Sequence, residues 1–175
     1  GDRVAVTCSL SDELVMLDTD GFRETTRFKV GENGDRPLNA AWTLDGRHLL
    51  VTLTTRSKFV ELEVAAAMRQ TSQVMTGDQP AQLAIAPGGS TVVVANRGSG
   101  SVTITTTDGT RLTEIDIPGA HPHGVAFGRD PSVAYVTYEG DTRTLGGVVA
   151  IDVDTGEILW QTEVGSFTLG VAVLP

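Results

Sequence analysis

With 175 residues, 40% of them hydrophobic and 20% charged, the chain has enough material for one domain with its own core, and its composition excludes a disordered polypeptide. The 22 acidic and 13 basic residues leave a formal charge of −9 spread along the sequence, which excludes the basic patch that nucleic-acid binding needs. No apolar run approaches the roughly 20 residues of a membrane-spanning helix, and the single cysteine, Cys8, excludes an internal disulfide and reads as a small core residue.

Twenty glycines and many Thr and Val, with few helix formers in sustained runs, point to strands and tight turns. From the N-terminus, Arg3-Val-Ala-Val-Thr7 is a nearly continuous apolar run, the pattern of a strand buried on both faces. Leu14-Val-Met-Leu17 and Thr25-Thr-Arg-Phe-Lys-Val30 alternate more, as outer strands do, and Asp20-Gly21 between them is tight-turn chemistry. The same order then returns. Pro37-Leu-Asn-Ala-Ala-Trp42 leads to the apolar run His48-Leu-Leu-Val-Thr52, then Phe59-Val-Glu-Leu62 and Thr71-Ser-Gln-Val-Met75, with a short helical turn expected over 65–69. Pro80-Ala-Gln-Leu-Ala-Ile85 leads to Thr91-Val-Val-Val-Ala95, Val102-Thr-Ile-Thr105 and Leu112-Thr-Glu-Ile-Asp-Ile117, with Asp108-Gly109 in the turn. Pro122-His-Gly-Val-Ala-Phe127 leads to Val133-Ala-Tyr-Val-Thr137, Val148-Val-Ala-Ile151 and Leu159-Trp-Gln-Thr-Glu-Val164. Thr168-Leu-Gly-Val-Ala-Val-Leu-Pro175 closes the chain in the pattern of a further first strand.

Pro37, Pro80, Pro122 and Thr168 are 43, 42 and 46 residues apart, the period of a four-stranded propeller blade. Ala41, Ala84, Ala126 and Ala172 fall in register within the first strands, the small side chains that sheets converging on an axis need. The fold expected is an all-β propeller of four-stranded antiparallel blades in one domain, 1–175. Blade 1 comprises 169–175 with 1–31, blade 2 is 32–77, blade 3 is 78–119 and blade 4 is 120–165. In that partition the first and last strands pair in a shared blade and close the ring, which removes an open sheet edge. Two rival arrangements are a fragment of a longer propeller and a homodimer joined head to tail into an eight-bladed ring. No signal peptide is visible, although a chain that starts at Gly1 without Met leaves room for a leader that has been removed.

The stretch Tyr135-Val-Thr-Tyr138, with Pro122-His-Gly-Val-Ala-Phe127 before it and Gly147-Val-Val-Ala-Ile-Asp-Val153 after it, resembles the YVTN family of β-propeller proteins. The stretch 80–96 resembles it equally, ending in Val93-Val-Ala-Asn96 where the family consensus has Tyr-Val-Thr-Asn. The resemblance implies a propeller fold and a place in the periplasm, at the cell surface or outside the cell. It fixes no activity, because such propellers include surface-layer proteins, lactonases, a haem domain of nitrite reductase and quinone-linked amine dehydrogenase subunits. Asp154-Thr-Gly-Glu-Ile-Leu-Trp160 is similar to the repeat of quinoprotein propellers, but one copy implies no cofactor, and none is expected.

Ligands of a propeller meet the face built by the loops that lead into the first strands and the loops joining second to third strands. Here these are 31–37, 77–80, 119–123 and 165–168, together with 9–12, 54–57, 96–100 and 139–146. His121 and His123 form the sharpest constellation, since the second opens an innermost strand near the axis, where an imidazole can act as general base. Two imidazoles at i, i+2 without a third ligand make a poor metal site, so no metal is expected. Arg36, Arg56, Arg97 and Arg143 occupy mouth loops in different repeats, either as a guanidinium ring for an anionic ligand or as partners of Asp35, Asp78, Glu139 and Asp141 in a solvated rim. The loop 138–147 is the longest of its class, which marks it as a contact surface. Asp152-Val-Asp154-Thr-Gly156 starts like a calcium loop but lacks the downstream Glu and reads as a strand turn. With no phosphate-binding glycine loop and no nucleophile elbow, the sequence points to a non-catalytic scaffold that binds a protein or small molecule. The alternative is a lactonase-like hydrolase using His123 with mouth carboxylates, or a haem- or quinone-linked redox subunit.

Overall fold

The computed structural model describes residues 2–65, 67–117, 120–140 and 143–174. Fifteen strands follow one another: β1 Arg3–Cys8, β2 Glu13–Asp18, β3 Glu24–Lys29, β4 Pro37–Trp42, β5 His48–Leu53, β6 Lys58–Glu63, β7 Arg69–Met75, β8 Pro80–Ile85, β9 Thr91–Asn96, β10 Ser101–Thr106, β11 Leu112–Asp116, β12 His121–Phe127, β13 Val133–Glu139, β14 Gly146–Asp152 and β15 Ile158–Gly165. They make four antiparallel meanders: β1-β2-β3, β4-β5-β6-β7, β8-β9-β10-β11 and β12-β13-β14-β15. The first strand of each sheet in chain order lies against that of the next, β1 on β4, β4 on β8 and β8 on β12. The all-β fold of four-stranded blades expected from the period is therefore present.

The continuous apolar runs are explained by two-sided burial. Leu49, Val51 and Leu53 of β5 enter the core shared with the first sheet, beside Leu14, Met16 and Val60. Leu50, one residue out of phase, enters the core shared with the third sheet, beside Phe59, Val92 and Val94. In β9, Val93 and Ala95 point the other way and pack with Val102, Ile104, Val136 and Val149. Because side chains alternate along a strand, a strand sandwiched between two sheets needs apolar residues at every position.

A bulge interrupts each four-stranded sheet at its innermost strand, between Pro37 and Ala40, Pro80 and Leu83, and Pro122 and Val125. The peptide groups freed there need partners. Thr52 Oγ1 accepts the Asn39 N–H at 3.0 Å, and Thr137 Oγ1 accepts the Gly124 N–H at 2.9 Å. The same hydroxyls donate forward to the next innermost segment, Thr52 to the Ala81 carbonyl at 2.9 Å and Thr137 to the Leu169 carbonyl at 2.9 Å, as Thr7 does to Leu38 at 2.8 Å. In the third sheet Ala95 stands at this position, and the Leu83 N–H turns instead to Asn39 Oδ1 of the preceding sheet at 3.1 Å.

Two expectations are corrected. The pairing of the chain ends in one blade is not present: the first sheet has three strands, and β1 pairs only with β2. The segment 168–174 forms no strand; it lies beside β12 and β13, where Thr137 binds Leu169 as Thr52 binds Ala81. Val4 and Val6 of β1 stay 41% and 40% exposed, whereas their counterparts in β5 and β9 are buried. The repeat pattern sets a strand's place within its blade, but the edge it meets depends on the arc of the whole assembly. The helical turn expected over 65–69 is also absent from the described residues there, where Ala65 and Ala67 lie in bends and Arg69 opens β7. Among the described residues the helical turn is the 3-10 turn Thr54–Arg56.

Candidate functional site

The mouth between the third and fourth sheets is assembled by three chain segments. β9 ends at Asn96, so Arg97 opens the loop to β10, while His121, Pro122 and His123 begin β12 and Glu139 ends β13 directly opposite His121. Arg97 reaches across the sheet boundary and grips Glu139 with two parallel bonds, Nε to Oε1 at 2.8 Å and an Nη to Oε2 at 2.9 Å. The carboxylate is buried and the guanidinium half exposed. This is the planar fork geometry that favours Arg over Lys. The hydrogen bonds from Arg97 hold the Glu139 carboxyl below its ordinary range against the opposing effect of burial, and the charges of His123 and His121 add to the lowering. Arg97 is correspondingly raised, chiefly by its bond to Glu139.

Both imidazoles are held through Nδ1, His121 on the Arg97 carbonyl at 3.1 Å and His123 on the Leu169 carbonyl at 3.2 Å. A carbonyl accepts only, so these contacts assign the Nδ1–H tautomer to each neutral ring and leave Nε2 as an acceptor. His123 Nε2 lies 4.0 Å from Glu139 Oε1. At 4.0 Å the two are too far apart for a direct hydrogen bond, and a group with two or more donor hydrogens, an ammonium or a water, can bond to both from between them.

The backbone at this mouth departs from the others. Arg36 and Gln79, immediately before Pro37 and Pro80, take left-handed conformations with φ of 53° and 49°. His121, before Pro122, begins a strand and carries its ring to the Arg97 carbonyl.

The other expected residues lie apart from this cluster. Arg56 pairs with Asp35 and Glu32 at the mouth between the first and second sheets. The Arg36 N–H donates to Asp12 Oδ1 at 2.9 Å and its side chain is exposed. Asp78 accepts a bond from Ser57 Oγ at 3.0 Å. Arg143 is exposed in the loop before β14, and Asp141 lies outside the described residues. Asp152 accepts the Asp154 and Thr155 N–H groups at 2.9 and 2.8 Å, which makes its loop the expected strand turn. Among the described residues no group of three or more His, Cys, Asp or Glu can hold a metal.

Sequence reasoning missed Asp12, Thr137 and the Leu169 carbonyl. Thr137 carried a signal, since Thr7, Thr52 and Thr137 recur at one repeat position among apolar neighbours.

No family model matches the chain, and no curated protein sequence matches it. Solved structures do. The chain is similar to Kuenenia stuttgartiensis hydrazine synthase, with a TM-score of 0.84 at 18% identity over 94% of this chain and 47% of that one. It is also similar to the β-propeller domain of Myceliophteria thermophila Cps50, with a TM-score of 0.75 at 12% identity over 97% of this chain and 55% of that one. The fold is that of a β-propeller. A third likeness is to the periplasmic gluconolactonase of Pseudomonas aeruginosa, with a TM-score of 0.73 at 18% identity over 96% of this chain and 53% of that one. The chain spans about half the length of these structures. The narrower YVTN assignment rests on the residues quoted above. Among the described residues no helix is long and apolar enough to cross a membrane.

Proposed function

We propose that this propeller segment is a binding scaffold whose ligand site is the mouth formed by Arg97, His121, His123 and Glu139. The observation that carries this reading is the clamp across the sheet boundary. One residue, Arg97, holds a buried carboxylate with its side chain and an imidazole with its carbonyl, so three polar groups from two blades are fixed before any ligand arrives, and the Leu169 carbonyl holds the His123 ring beside them. Such pre-organisation lowers the cost of ordering a site on binding. A location outside the cytoplasm belongs to the same reading, supported by the family resemblance and by the periplasmic origin of one similar structure. The test is a nuclear magnetic resonance screen of the isotope-labelled protein against small amines, carboxylates and sugars. Ligands are expected to shift the signals of residues 97–100, 121–123 and 139. Hits that map only to the mouth around Asp12 and Asp35 would refute the assignment.

A second reading is proton-transfer catalysis with His123 as the base, favoured by its Nε2 acceptor 4.0 Å from Glu139 and by the likeness to a gluconolactonase. Hydrolysis of glucono-δ-lactone followed by pH-stat decides it. A rate above background that disappears in His123→Ala supports the enzyme, and a rate equal to background sinks it.

A further inference from the structure

Beside His121 lies a cleft of about 550 Å³ lined by Gly98, Ser99, Gly100, Asp116, Ile117, Ala120 and His121. Its size suits a small molecule. Its walls are poor in hydrogen-bond donors. The Gly98 and Ser99 N–H groups both turn back to the Asp78 carbonyl, that of Gly100 to Asn96, that of Ile117 to Gly100 and that of Ala120 to Ile117. His121 uses its Nδ1–H on Arg97. The Ser99 hydroxyl accepts the Asp78 N–H at 3.0 Å and lies 2.8 Å from Ser101 Oγ. Ser101 spends its own hydrogen on Glu114, which directs the Ser99 hydrogen to Ser101 Oγ.

What remains to face the cleft is a set of acceptors: the second lone pair of Ser99 Oγ, Nε2 of the neutral His121 ring, and the carboxylate of Asp116. Among the described residues no hydrogen bond or ion pair engages the Asp116 side chain. Arg97, at the same mouth, is committed to Glu139, and among the described residues no Arg or Lys lines the cleft. A ligand that satisfies such walls must bring several donors and a positive charge.

Resting on the proposed binding mouth, we propose that this cleft takes small organic ammonium ions, with Asp116 as the counter-charge and Ser99 and His121 as orienting acceptors. Asp116 is solvent-exposed, so screening keeps the affinity on the order of millimolar.

The test uses n-butylammonium as probe, with butyrate and n-butanol as controls of matched shape, followed by amide chemical shifts. Butylammonium is expected to move the signals of Gly98, Ser99, Gly100 and Ala120, while butyrate and butanol leave them in place. Asp116→Asn is expected to weaken binding about tenfold, the size of one charge-assisted hydrogen bond, with an unchanged melting curve. Equal binding of butylammonium by Asp116→Asn overturns the assignment. Butyrate shifting Arg97 and His121 while butylammonium does nothing overturns the ammonium class and leaves the binding mouth standing. Silence of all mouth residues towards all three probes overturns both.

Discussion

Two of the mouths between successive sheets spend their carboxylates differently. Between the first and second sheets, buried Asp12 accepts the N–H groups of Gly34 at 2.7 Å and Arg36 at 2.9 Å, and buried Asp35 accepts the Glu32 N–H at 2.8 Å and a bond from Arg56. The loop 31–37 is thus tied down by two buried acids, one of its own and one from the loop after β1. Gly31, at φ +74°, seals it, because an added Cβ would fall 2.3 Å from Asp35 Oδ2. Between the third and fourth sheets, buried Glu139 is held by a side chain from the neighbouring blade, with two imidazoles and a cleft alongside. Carboxylates bound to backbone knit a loop together, whereas Glu139, bound by a side chain of the neighbouring blade, ties two sheets to each other at the mouth.

The largest expected effect is on the first mouth. Asp12→Ala strands two peptide N–H groups and is predicted to lower the thermal midpoint by roughly 5 °C or more while leaving the signals of Arg97 and Glu139 unchanged. A wild-type melting curve would falsify the knitting role. The backbone bonds from Gly34 and Arg36 also lower the Asp12 carboxyl from its ordinary value, so its stabilisation is present above about pH 3.8 and is lost as pH falls through the depressed value. Asp12→Asn should flatten that acid arm.

Next in size are the two bulge-filling threonines. Thr52→Val and Thr137→Val each remove a buried hydroxyl that both donates and accepts, at a predicted cost of about 1–3 kcal/mol by chemical denaturation. Only Thr137→Val should also change the His123 ring signals, because His123 shares the Leu169 carbonyl with it. Thr137→Ser should restore them. Equal behaviour of the two variants at His123 would dissolve the distinction between the mouths.

Smaller effects follow at the arginines. Arg97→Ala leaves Glu139 buried without its partner, and the exposure of the guanidinium limits the predicted loss to about 1–2 kcal/mol. Glu139 has a depressed folded value, so its contribution is present above about pH 4.5 and lost on acidification through that value, and Arg97→Ala should weaken or reverse this dependence, because burial is then the largest influence left on the carboxyl. Arg36→Ala is predicted to change stability by less than about 0.5 kcal/mol, since its exposed side chain makes no hydrogen bond or ion pair among the described residues, adds only a minor charge effect at Asp12, and acts chiefly through its backbone N–H.

The fold was readable because two-sided burial forces apolar residues at consecutive positions in β5 and β9, a pattern that a half-exposed strand does not produce, and because the shortness of the runs and their return every 42–46 residues separate them from a buried helix. The grouping of Arg97, His121, His123 and Glu139 was also legible, because the repeat puts one in a loop and three at strand ends on one face. Their division from Arg36 and Arg56 was not, because it depends on which neighbouring carboxylate each guanidinium reaches, and repeat position says nothing of that. The role of segment 168–174 was misread for a related reason. Its pattern is that of an innermost strand, and the pattern is silent on whether β1 or β12 lies beside it.

The Leu169 carbonyl, which receives both Thr137 and His123, sits on that exposed final segment. The ring that faces Glu139 is thus anchored outside the blade that carries it. The orientation of His123 therefore depends on a stretch of chain that carries none of the other site residues.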